Sequence, residues 1–236
     1  MSITKPGPES SGPGVVFRRA LLLAGPVATL LYVGLDTVAA RRHPGYRYAS
    51  QTISELSAVD APTRPLWLTV GSLYGLLMMA FGLGVWLSAG AKGALRIVGV
   101  MAGVIGVVGL IAWPFAPMHQ REVLAAGGGT RSDKVHIALG AVDSALFLTA
   151  AGLGATAIGG KFRLYSMTAI ALVLGIGASM AAEGPKVGRN EPTPFLGIKE
   201  RIVVFGTMVW MAVLGIVLLR HEGGSLDEKD PREVEV

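Results

Sequence analysis

Six apolar runs of about 20 residues each, separated by polar connectors, set the pattern of this chain. They cover residues 17–38, 66–88, 95–113, 135–158, 162–182 and 202–219. A bilayer core about 30 Å thick is crossed by a helix of about 20 apolar residues. Lipid offers the backbone no hydrogen-bond partners, so each run must satisfy its own and is predicted to be helical. The expected fold is therefore all-α, a polytopic bundle of six transmembrane helices over residues 15–220. Residues 1–14, rich in Pro, Gly and Ser, and the acidic stretch 221–236 read as disordered tails.

The connectors alternate in length. Residues 89–94 and 159–161 form tight turns, whereas 39–65, 114–134 and 183–201 are long. Alternation predicts three long loops on one membrane face and both termini on the other. Lys and Arg are nearly balanced between the faces, but the short turns are densely basic and Arg18-Arg19 abut the first helix. These details point to cytoplasmic termini and a multi-pass protein of the cell membrane. Arg18-Arg19 and Val38-Ala39-Ala40 have the look of a signal sequence. The length of the run and the five spans after it predict a retained helix instead.

Composition agrees. Of 236 residues, 51% are hydrophobic and 16% charged, against about 25% charged in soluble domains. Mean hydropathy is +0.54. The net charge of +5 is scattered over connectors and forms no stripe, so membrane lipids are the expected partner and nucleic acid is not. With no cysteine, disulfides, thiolate catalysis and Cys-ligated metals are excluded. Gly71 and Gly75, and then Gly99, Gly103, Gly106 and Gly109, recur at helical steps. That spacing permits close helix packing, mainly within the chain, with a homo-oligomer as the alternative use of the same faces. Gly152-Leu153-Gly154 with Ala157 matches a dinucleotide pattern, but it lies late in an apolar helix with no strand before it. The three helical hairpins show no convincing internal repeat.

The polar candidates gather on the long-loop side. In 50–65, Ile53, Leu56 and Val59 recur at three-residue steps and predict a short amphipathic surface helix. Ser50 or Thr52 would cap it, with Glu55 suited to its first turn. Pro114 is expected to end the third span, with Trp113 at the interface and His119 just outside. Asp133, His136 and Asp143 share one face of the fourth span. An acid at the depth of Asp143 costs several kcal/mol unless it is paired or wet, which makes it the least dismissible polar residue. Glu183 closes the fifth span, and Glu200 and Arg201 open the sixth. Together with Asp36, these residues are expected to converge on one polar groove.

Several short motifs resemble one family. Ser54-Glu55-Leu56-Ser57 is similar to the I-S-E-L-[GS]-A pattern of the DUF998 family, prokaryotic six-helix membrane proteins of unknown function. Trp113-Pro114-Phe115 resembles its W/F-P pattern, His136 the histidine opening its fourth helix, and Gly197-Ile198-Lys199-Glu200-Arg201 its G-x-x-E-R entry to the sixth. The chain departs from the pattern at Ala116-Pro117-Met118-His119, where many members carry an Asp soon after the proline. The resemblance implies the architecture and no activity.

Three functions compete. The first is binding or sensing of a lipid or small molecule through Glu55, His119, His136, Asp143, Glu200 and Arg201. The second is an intramembrane lipid hydrolase using Ser54, His136 and Asp143. The third is a transporter or proton-coupled carrier working through Asp143, although broken helices in matching halves are missing. Neither a cofactor nor a metal is expected, because His43, His119 and His136 include no H-x-x-x-H pair.

Overall fold

The computed structural model describes residues 12–227. Among them are eight helices and no strand: α1 (Pro13–Arg42), α2 (Ile53–Leu56), α3 (Arg64–Leu87), α4 (Gly93–Phe115), α5 (Arg121–Ala125), α6 (Arg131–Ile158), α7 (Gly160–Gly188) and α8 (Leu196–Asp227). Six of these, all but α2 and α5, are long and apolar enough to cross a membrane. The protein is thus a multi-pass membrane protein. Helix reaches into both stretches expected as tails, since α1 begins at Pro13 and α8 ends at Asp227. The remainder of both tails lies outside the described residues.

Two boundaries differ from expectation. Helix α4 runs through Pro114 to Phe115 instead of stopping before it. The proline leaves the Leu110 carbonyl without its helical donor. Helix α7 likewise continues through Pro185 to Gly188, which shortens the third connector to residues 189–195. Glu183, expected to lie where that helix ends, instead pairs with Lys199 of α8.

The spanning helices form a ring in which α4 packs on α3, α3 on α1, α1 on α8, α8 on α7, α7 on α6, and α6 back on α4. The α3–α4 seam is made of glycine. A Cβ on Gly82 would lie 2.5 Å from the Gly99 carbonyl oxygen and the Gly103 nitrogen, and one on Gly106 would lie 2.5 Å from the Gly75 carbonyl oxygen. Backbone meets backbone there, which only glycine permits. The α1–α8 seam uses a proline. Pro26 inside α1 deprives the Leu22 carbonyl of its helical donor, and Gly215 of α8 packs against that oxygen. At the terminal side, the Trp210 ring packs edge-on to Phe147 at 5.7 Å, and its Nε1 donates to Ser166 Oγ at 2.9 Å. This joins α6, α7 and α8. Large apolar side chains face outward, among them Leu164 and Ile137, as lipid contact requires.

Candidate functional site

The three connectors on the side away from the tight turns are knitted into a cap. Helix α2 has the expected capping box: Glu55 Oε2 accepts from the Thr52 nitrogen at 2.6 Å. The same carboxylate is fully buried and receives a two-pronged bond from Arg121 of α5, Nε to Oε1 at 2.7 Å and Nη2 to Oε2 at 2.8 Å. Arg121 Nη1 reaches Thr193 Oγ1 in the third connector at 3.2 Å, and Thr193 Oγ1 donates to the Ser50 carbonyl at 2.9 Å. Burial alone would raise the Glu55 pKa, but the Arg121 guanidinium outweighs it and holds the carboxyl below its ordinary value. The paired carboxylate raises the Arg121 pKa in turn. Arg121 and Thr193 were not among the residues expected at the site. The signal was Glu55 itself, since an acid in a folded amphipathic turn needs a cation once it is buried.

A second clamp fixes the cap to the bundle. Asp36 near the end of α1 is fully buried and takes two 2.9 Å bonds from Arg201 Nε and Nη2. Arg201 also donates to the carbonyls of Tyr48 (2.9 Å), Gln51 (3.2 Å) and Gly197 (3.1 Å) and to the Tyr46 hydroxyl (2.8 Å). Its guanidinium lies 3.6 Å from the Tyr48 ring centroid. Glu200 accepts a short bond from the Ile53 nitrogen, the first N–H of α2. His119 serves a third tie: its backbone nitrogen donates to Asp133 Oδ1 at 2.7 Å and its Nδ1 lies 3.0 Å from Oδ2. His43, by contrast, lies beside the Tyr46 ring at 5.5 Å.

Beneath this cap, α1, α3, α4, α6 and α8 surround a cavity of about 190 Å³. Ser54, His136, Asp143 and Glu200 all line it, whereas Glu55, His119 and Arg201 do not. The expected groove residues therefore divide into a cavity set and a set that spends its hydrogen bonds holding the cap. Beyond the Ser54–His136 end the walls are mostly apolar, with Met78, Ile105, Phe147 and Met211, and Asp143 is the acidic exception on α6. From His136 to Phe147 the α6 wall extends about 16 Å into the bundle.

Ser54 and His136 are hydrogen-bonded, Oγ to Nε2 at 2.9 Å. His136 Nδ1 lies 2.8 Å from the Ala116 carbonyl oxygen. A carbonyl only accepts, so Nδ1 carries a proton, and Nε2 of the neutral ring accepts from the serine. The third partner of this pair is a backbone carbonyl, where the sequence reading put Asp143. Asp143 stands apart: its Oδ1 is buried without a hydrogen-bond partner. Trp67, a fully buried α3 residue that also lines the cavity, has an indole Nε1 in the same condition. Two residues of the cavity lining thus each carry a buried polar atom, one acceptor and one donor, without a protein partner.

A family model described as "Protein of unknown function (DUF998)" matches residues 26–217. The chain belongs to the DUF998 family. That match spans every residue of the DUF998 site above, from Asp36 on α1 to Met211 on α8. No curated protein and no solved structure matches the chain.

Proposed function

We propose that this DUF998 protein binds an amphiphilic molecule, a lipid or a small lipid-like compound, in the cavity beneath its cap. The observation that carries the reading is the pair of buried atoms without partners, Asp143 Oδ1 and Trp67 Nε1, on two residues that line a largely apolar cavity. A buried polar atom left unsatisfied costs about 1–3 kcal/mol, which a bound hydroxyl, donor and acceptor at once, would recover. Ordered water needs roughly 10–15 Å³ per molecule, so about 190 Å³ is an order of magnitude more than one water uses. Apolar walls around a few polar groups suit a chain with a polar end. Membrane lipids are the nearest source of such a molecule.

The test is thermal stability of purified protein with monoacylglycerol, long-chain alkylamine and lysophospholipid added in turn. At least one should raise the melting temperature of the wild type and fail to raise that of Gly109→Leu. Gly109 lines the cavity, and a Cβ there meets only the Tyr74 ring, at 3.9 Å, so a leucine grows into the void. An equal shift in both proteins would refute binding in the cavity.

The same reading places the protein in the cell membrane with both termini cytoplasmic, on the strength of Arg18-Arg19 and the basic short turns. Since the chain lacks cysteine, single replacements map this cleanly. Ala91→Cys in the turn after α3 should label only after permeabilisation, and Glu122→Cys in α5 should label in intact cells. The reverse pattern would invert the topology.

A further inference from the structure

We propose that Ser54 and His136 are a nucleophile and its general base, and that the protein cleaves a carboxylic ester of the amphiphile held in the cavity, with water as the second substrate. This rests on the binding reading above and adds a reaction to it.

Three observations carry it. First, the geometry is that of an activated serine. Ser54 Oγ is 2.9 Å from His136 Nε2, and the Ala116 carbonyl fixes the ring from the far side at 2.8 Å, in the tautomer that leaves Nε2 free to take a proton. Second, the serine is held from both sides. Its neighbour Ile53 is bonded through its N–H to Glu200, and its neighbour Glu55 is locked by Thr52 and Arg121. Such support fixes the backbone that carries Ser54, as a reacting group needs. Third, Ser54 and His136 line one end of a cavity that is mostly apolar beyond them, so an acyl chain lying along α6 would bring its carbonyl to the hydroxyl. The lining also includes Trp67, whose unpartnered Nε1–H is the type of donor suited to a carbonyl oxygen that gains negative charge.

The steps balance. Ser54 Oγ bonds to the carbonyl carbon while its proton passes to His136 Nε2. The carbon–oxygen bond to the alcohol then breaks, and the alcohol leaves with that proton. Water adds to the acyl-serine, giving a proton to His136. The bond from carbon to Oγ breaks, the carboxylic acid departs, and Ser54 recovers its proton. Asp143 has no part in orienting the base.

The experiment uses the full chain, purified in mild detergent, with a long-chain alkyl fluorophosphonate and, separately, a long-chain p-nitrophenyl ester. The expected result is one phosphonyl adduct, mapped by peptide mass spectrometry to Ser54. Labelling and ester turnover should vanish in Ser54→Ala and fall by at least about 100-fold in His136→Gln. Adduct mapping on the wild type needs no variant to fold. Absence of an adduct at Ser54, or turnover unchanged in a folded Ser54→Ala, overturns the proposal. If the wild type still gains stability from an amphiphile in that case, the binding reading stands and the serine–histidine bond is a tie between α2 and α6. If it gains none, both fail.

Discussion

Replacing Arg201 by leucine tests the clamp that holds the cap on the bundle. The wild-type guanidinium gives two 2.9 Å bonds to Asp36, a carboxylate with no exposed surface, while Arg201 itself is 3% exposed. Arg201→Leu leaves that carboxylate buried without a cation, which costs about 3–5 kcal/mol. The carbonyls of Tyr48, Gln51 and Gly197 lose a donor as well. In the double variant Asp36→Leu/Arg201→Leu both charges are gone, and only those carbonyls remain short of a partner, a residual cost of about 1–3 kcal/mol. The double variant should therefore be more stable than Arg201→Leu alone, a coupling that no sum of independent effects produces. The assay is equilibrium unfolding in mixed micelles by denaturing detergent, followed by far-UV circular dichroism. A loss below about 1 kcal/mol for Arg201→Leu, the worth of a surface pair, would refute the reasoning. So would a double variant at least as unstable as the single one.

Other outcomes follow from the same geometry. The Glu55 pKa is lowered in the folded protein, so its pairing with Arg121 stabilises above the unfolded-state pKa and is lost as pH falls through the folded one. The melting temperature should drop on acidification below about pH 5, and Glu55→Gln should flatten that dependence. An equally steep fall in the variant would assign it elsewhere. Gly82→Ala forces a Cβ to 2.5 Å from the α4 backbone and should cost about 1–3 kcal/mol, whereas Gly103→Ala, with nothing within 4 Å, should be neutral or slightly stabilising. Equal effects in detergent unfolding would contradict the interlocked seam. Asp143→Leu removes a buried oxygen without a partner and should raise stability by about 1–3 kcal/mol in ligand-free protein while abolishing stabilisation by amphiphile. A destabilised Asp143→Leu would mean that the carboxylate supports the fold.

The architecture was readable because lipid makes the backbone rule strict: six apolar runs gave six spanning helices in α1, α3, α4, α6, α7 and α8. The errors lie where local breakers were trusted. Gly184-Pro185 read as the end of a span, yet α7 continues to Gly188, and the Lys199–Glu183 pair ties that last stretch to α8. In the site, the cost of a deep acid singled out Asp143, and the structure leaves its Oδ1 without a partner on a cavity wall. Ser54 and His136 were readable as candidate partners, but with Asp143 as the third member, whereas that place is taken by the Ala116 carbonyl, which no side-chain pattern encodes. Arg121 was hidden for a similar reason. A loop arginine reads as solvated until tertiary structure brings Glu55 to it. Trp67 was not among the expected site residues, and only packing brought it to the cavity lining with its Nε1 unpartnered.

Native mass spectrometry of wild type and Gly109→Leu, both released gently from the membrane, reads occupancy of the cavity directly. The wild type should retain one amphiphile per chain after detergent is stripped, and the variant, with its void filled, should fly without it. Equal retention by both proteins, or none by a folded wild type even after incubation with monoacylglycerol, alkylamine and lysophospholipid, would contradict a binding cavity beneath the cap.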